Sequence, residues 1–304
     1  MADLAVGSSP SPTKRKVSDN KPGMAPWLLS SPALLLFVGL LLVPLILTVL
    51  LSFHAFDGSR GVLTDYTLKN YIEVFSDGYY HEIFLRTGGL ALGVTLLCVL
   101  FGVPETLILA RMKSPWRALF LIVILGPLLI SVVVRTLGWA ILFGNNGLIN
   151  SALMSLGIVS EPVRLLFSMT GVAIALTHVL IPFMVISVWA NLQKLDPQVE
   201  SAGLSLGASP FTVFYRVMLP QLLPGILSGS IIVFALAASA FATPSLLGGR
   251  KLKVVATAAY DEFLNTLNWP LGATIAMLLL LANVVIILGA NRWVERRFSQ
   301  VFDT

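Results

Sequence analysis

Six long apolar runs constrain this chain more than any other feature. They occupy about residues 28–53, 84–109, 118–143, 166–190, 219–247 and 270–291. A helix needs about 20 mainly apolar residues to cross roughly 30 Å of hydrocarbon, and each run meets or approaches that length. Pro44, Pro104, Pro127 and Pro182 fall inside the runs. Membrane helices accept such prolines because neighbouring groups re-satisfy the freed backbone. The expected fold class is therefore an all-α integral membrane protein, a bundle of six transmembrane helices over residues 27–298.

Composition excludes the soluble alternative. Only 12% of the residues are charged, about half the roughly 25% of a soluble domain, and the mean hydropathy is +0.87. The net charge of +5 is spread between the apolar runs and forms no single patch. Lipid is thus an expected partner and nucleic acid is not. One cysteine, Cys98, inside an apolar run, allows neither an intrachain disulfide nor a cysteine metal site. His54 and His81 lack metal-ligand spacing, so no metal is expected. Cys98 itself reads as a small lipid-facing or packing residue.

Residues 1–26 are rich in Ser, Pro and Lys, which predicts a disordered tail. The run that follows, Trp27 to Phe53, exceeds the 7–15 residues of a signal-peptide core. Lys and Arg set the expected orientation. Twelve lie at one set of helix ends, including Lys14, Arg15, Lys16, Arg111, Lys113, Arg117, Lys194, Arg216 and Arg292, against seven at the other. Positive charge concentrates on the cytoplasmic side, so both termini are expected there. Arg250, Lys251 and Lys253 oppose the bias locally.

The loop 191–218 is the unusual segment. Asp196-Pro197 is a helix start, a capping carboxylate followed by Pro at the first position. Val199, Ala202 and Leu206 then fall on one helical face, and Gly207 takes the usual C-terminal glycine position. Ser201, Ala202, Gly203 and Ser205 are small, so such a helix suits a close approach to another protein.

This loop resembles the cytoplasmic E-A-A-x-x-x-G motif of binding-protein-dependent importer permeases. The chain reads S-A-G-L-S-L-G from Ser201 to Gly207, then Gly207-Ala208-Ser209, Phe211, Phe214 and Leu219-Pro220. Ser201 stands at the motif glutamate, with Glu200 beside it. The stretches GVAIALTHVLIPFMVISVWANLQKLDP, RTLGWAILFGNNGLIN, SEPVRLLF and FLNTLNWPLGA are similar to spermidine/putrescine importer permeases, over roughly residues 30–295. Relatives of that subfamily carry opines or aminophosphonates instead. The resemblance implies the type I ABC importer permease fold in a bacterial inner membrane. It implies two ATPase subunits, a second homologous permease and an external solute-binding protein as partners. Glu200, Ser201, Ala202, Gly203, Leu206, Gly207 and Ala208 would then couple to the ATPase. The chain has no G-x-x-x-x-G-K-[ST] loop. It is expected to bind no cofactor and to be no enzyme, with ATP and Mg2+ held by the ATPase subunits.

Candidate pathway residues follow from polarity at membrane depth, where charges usually face a cavity or a partner. Arg135 lines the pathway, or it is paired structurally or snorkels to the boundary. Glu105 is a gate-region group or a solute ligand. Trp139 is an interfacial anchor or a solute-stacking group. Thr243 and Ser245, in the segment from Phe241 to Gly249, line a gate or simply end a helix around Pro244. His178 has no acidic partner at helical spacing, so packing is expected of it and not proton relay. A solitary carrier or membrane enzyme would show internal repeats, relay carboxylates or a Ser/His constellation, and the sequence shows none.

Overall fold

The structure is a computed structural model and describes residues 25–195, 197–249 and 251–302. The expected tail and the Asp196 cap fall outside the described residues. Two compact units divide the chain, Met1–Leu47 and Thr48–Thr304. Among the described residues, six helical stretches are long and apolar enough to cross a membrane.

Helix α1 covers Ala25–Ser52, with Pro32 and Pro44 inside it. A two-stranded antiparallel hairpin follows, β1 His54–Asp57 and β2 Gly61–Tyr66, paired His54 to Tyr66 and Asp57 to Gly61. The loop pattern of 54–83 does not announce this hairpin. Its turn is tied by Asp57, whose Oδ1 accepts from the Ser59 and Arg60 amides. Those hydrogen bonds, the Ser59 hydroxyl first, hold the Asp57 carboxyl below its ordinary range. The short helix α2, Lys69–Ser76, leads into α3, Gly78–Arg111. Asp77 caps α3 by accepting from the Tyr79 amide at 2.9 Å.

The third apolar run is not one helix over 118–143. It splits into α4, Trp116–Leu129, and α5, Val132–Phe143. Alone, α4 reaches about 21 Å at 1.5 Å per residue, too short to span. Ile130 and Ser131 adopt extended ψ values of 137° and 134°. Pro127 has already removed one backbone donor, and the β-branched Val132 to Val134 favour helix weakly. Helix α6, Leu148–Ser155, follows the Gly144–Gly147 turn, and buried Asn150 bonds both Gly144 and Val163 to fold the 144–165 loop. Helix α7 runs Met169–Leu192, capped by Ser168.

The fifth run also differs from a helix over 219–247. It begins at α9, Pro210–Val213, widens into a π turn at Phe214–Met218, continues as α10, Leu219–Ala238, and breaks before α11, Ala242–Leu247. Pro220 offers no amide to the Arg216 carbonyl and its ring crowds that carbonyl. The Leu219 amide bonds Phe214 O, the wide π register. After α12, Val255–Leu264, helix α13 runs Trp269–Phe302, beyond the expected 270–291.

The core is the three-helix contact of α3, α7 and α10. Ala91, Val94, Cys98, Met184, Val188, Leu222 and Val233 are fully buried there. In lipid no hydrophobic force drives helices together, so close packing of small residues must do it. Met184 lies between Gly102 of α3 and Gly229 of α10, whose hypothetical Cβ atoms would sit 2.9 and 2.8 Å from its side chain. Ser187 Oγ donates to Gly225 O at 2.9 Å and Asn191 Nδ2 to Gln221 O at 2.6 Å, tying α7 to α10.

Candidate functional site

Helix α8, Pro197–Ser205, carries the loop residues. Its end is a complete Schellman arrangement: Ala208 N donates to Gly203 O and Gly207 N to Leu204 O. Gly207 has a φ of +81°, in the left-handed region that L side chains enter at a cost of roughly 1–2 kcal/mol. Ser209 then caps α9, accepting from Thr212 N at 3.2 Å. Turn and cap set α8 at a defined angle to α9.

The inner face of α8 is Gly203. A Cβ there would lie 3.1 Å from Val213, which is itself buried. Ser201, Ala202 and Leu206 face outward, and Leu206 is 88% exposed. Val199, Leu204, Phe211 and Tyr215 are exposed as well, with the Phe211 and Tyr215 rings tilted against each other at 4.6 Å. Ala208 is half-buried beneath the turn. The Glu200 side chain falls outside the described residues. The result is an apolar, small-residue surface on a short, well-terminated helix. It is joined to the membrane helix α10 through the π turn.

Arg135 lies on α5. Its Nη1 donates to Pro127 O and to Ile130 O, the latter at 3.4 Å, so it caps the broken end of α4. Its Nε is buried with no partner among the described residues. Arg135 and Thr243 line one cavity of about 360 Å³ with Leu128, Leu180, Phe183 and Phe241. The cavity lies where the α4–α5 break faces the α10–α11 break.

The other pathway candidates separate from it. Ser245 lines a polar cavity of about 730 Å³ with Lys253, Thr257, Asp261 and Glu262. There Lys253 Nζ bonds Asp261 Oδ2 at 2.7 Å. That hydrogen bond holds the ammonium above its ordinary lysine value. Glu105 lies toward the Arg111 end of α3, its Oε2 buried without a partner among the described residues. Trp139 packs on Phe143 at 4.9 Å and donates through Nε1 to His178 Nδ1 at 3.4 Å. It is part of a ring cluster between α5 and α7.

A family model for "Binding-protein-dependent transport system inner membrane component" matches residues 24–300. The chain belongs to this family. This permease is 31% identical over 261 residues to the spermidine/putrescine transport system permease protein PotB of Haemophilus influenzae, across 84% of this chain and 90% of that one. It is 34% identical over 198 residues to the molybdenum transport system permease protein ModB of Mycobacterium tuberculosis, across 65% and 73%. A solved bacterial ABC transporter that imports the acidic polysaccharide alginate shares the fold. Its TM-score is 0.70 at 20% identity, over 90% of this chain and 96% of that chain. The permease is thus a multi-pass membrane subunit of a binding-protein-dependent ABC importer.

Two features of the permease's site escape sequence reasoning. The Trp139–His178 bond joins residues 39 apart on different helices, and neither carries a local signal. The capping role of Arg135 depends on a helix break inside an unbroken apolar run. It leads to an expected result. Arg135→Gln takes the charged donor from the partly buried Pro127 carbonyl, and hydrogen bonds to charged groups contribute about 1.5–3 kcal/mol. Thermal unfolding temperature and solute uptake should fall together, and Arg135→Lys should recover part of both. Normal uptake by Arg135→Gln at normal expression would rule out a role for Arg135 in the pathway.

Proposed function

We propose that this permease is one of two membrane subunits of an ATP-driven polyamine importer. Residues 197–218 are the segment that docks a separate ATPase. The observation that carries the solute class is the 31% identity to a spermidine/putrescine permease over nearly the whole of both chains. The docking role rests on α8: an exposed helix of small residues, fixed by a Schellman turn and joined through α9 and the π turn to α10. ATP and Mg2+ bind to the ATPase subunits, which close and open. That motion biases a bistable bundle between two faces. A second homologous permease completes the pathway. Both termini and α8 face the cytoplasm, in line with the Lys/Arg bias.

One observation favours a second reading, an anionic or zwitterionic solute of the opine or aminophosphonate kind. The cavity shared by Arg135 and Thr243 is lined by one cation and no acid. A polycation gains nothing from that lining, whereas a carboxylate or phosphonate pairs with a guanidinium.

The deciding experiment is calorimetric titration of the cognate binding protein with spermidine, putrescine and 2-aminoethylphosphonate. Retention of a polyamine alone is the expected result, and retention of the phosphonate alone replaces it with the second reading. Orientation is checked in intact cells with a membrane-impermeant thiol reagent. It should label Ser155→Cys and leave Ser18→Cys unlabelled.

A further inference from the structure

Helix α2, Lys69–Ser76, has three chemically distinct sides, and the pathway uses none of them. One side is sealed against the protein. Val74 is buried in a cluster with Ile83 of α3, Val255 and Ala258 of α12, and Leu271 and Ile275 of α13. Asn70, also buried, donates from Nδ2 to Ser52 O and His54 O, both at 2.9 Å.

The second side is apolar and uncovered. Leu68, Ile72 and Phe75 are 60%, 62% and 63% exposed. At about 100° per residue these three fall within roughly 60° of one another, while Lys69, Glu73 and Ser76 form a third side about 100° away. A helix standing in water would not keep a leucine, an isoleucine and a phenylalanine in line beside a flank of Lys69, Glu73 and Ser76. A helix buried in protein would not keep the flank.

Continuity of the chain says what covers the apolar side. Asp77 alone separates α2 from α3, whose apolar run begins less than two turns further on, at about residue 84. Helix α1, another spanning stretch, ends at Ser52, whose carbonyl Asn70 holds. The helix is therefore pinned at the level where the hydrocarbon begins. Two exposed tyrosines flank it, Tyr66 before and Tyr79 after, and tyrosine concentrates at headgroup level.

We propose that α2 lies in the plane of the membrane interface, with Leu68, Ile72 and Phe75 inserted among the outermost acyl carbons and Lys69 and Glu73 in the headgroup water. An in-plane amphipathic helix seats its apolar face about 5–10 Å into the headgroup–acyl boundary. Here that contact fixes the height of the α2–α12–α13 cluster against the bilayer. It does not depend on which solute is carried.

The test uses the assembled transporter in lipid nanodiscs, without binding protein. Nitroxide labels go on Ile72→Cys, Phe75→Cys and Glu73→Cys in turn. Native Cys98 is fully buried and stays unlabelled. The ratio of oxygen to nickel-chelate collision rates should be several-fold higher at positions 72 and 75 than at 73. If a cysteine at 75 lowers the yield, Phe75→Trp keeps the ring, and brominated lipid should quench its added fluorescence. Equal chelate access at 73 and 75, or an unquenched tryptophan, overturns the proposal. So does chelate access at 75 that closes only when the binding protein is added, which would make this face a protein-docking surface.

Discussion

Gly225→Leu is expected to leave almost no folded permease. Gly225 lies on α10 where that helix crosses α7, and a Cβ there would meet Asn191 Cβ at 2.7 Å, Ser187 O at 3.1 Å and Val188 Cα at 3.2 Å. Two of those three atoms are backbone, so no rotamer change relieves the clash. Overpacking typically costs about 1–3 kcal/mol and more where the surroundings cannot shift. Separating the helices also breaks the bonds from Ser187 to Gly225 O and from Asn191 to Gln221 O. Interhelical bonds of this kind in membrane proteins average about 0.6 kcal/mol each. The loss should appear as a collapsed monodisperse peak in fluorescence-detected size exclusion and a sharply lower unfolding temperature. Gly289→Leu is the control. Its Cβ would meet nothing within 4 Å, and it should behave as wild type. A wild-type profile for Gly225→Leu would mean that α7 and α10 do not meet as described.

Ala202→Trp is expected to abolish transport while leaving the permease folded. Ala202 faces outward on α8, so the indole meets no wall within the subunit. Its effect comes from the surface that α8 is proposed to enter, where a groove shaped for alanine has no room for an indole. Solute uptake and solute-stimulated ATP hydrolysis should fall together, by tenfold or more if the misfit reaches the upper part of the range of about 1–3 kcal/mol. Solute capture by the binding protein should not change. Gly203→Val separates the internal packing of α8 from its docking. It strains the contact to Val213 inside the subunit, so its unfolding temperature should drop where that of Ala202→Trp does not. If Ala202→Trp matches wild type in both uptake and hydrolysis, α8 does not transmit the ATPase motion.

The apolar runs and the α8 turn were legible because their signals are local. A helix that crosses lipid must be apolar throughout, and a glycine after Leu206 marks a C-terminal turn through its own backbone freedom. Where the third and fifth helices break was not legible. Ile130-Ser131 sits between apolar flanks that read the same whether the helix continues or stops. Pro220 reads as a helix start, although α9 and the π turn already lead into it from Pro210. Arg135 shows the same limit from the side chain's view. Its charge announces a special residue, but its acceptors are the Pro127 carbonyl of the preceding helix and the Ile130 carbonyl just past its end, which the break at residues 130–131 brings within reach. Thr243 and Ser245, two positions apart, read as one gate segment, yet they line different cavities.

Site-specific cross-linking reads whether α8 meets the ATPase. Cys98 is the only cysteine and is fully buried, so Ala202→Cys gives the assembled transporter's permease a single reactive thiol. A short bifunctional reagent should join that thiol to the ATPase subunit, with a yield that changes between the nucleotide-free and ATP-trapped states. A matched cysteine at Ser155 should give no ATPase adduct. An Ala202→Cys thiol that never cross-links to the ATPase in any nucleotide state, in a transporter that still imports solute, would mean that α8 is not the ATPase-docking helix.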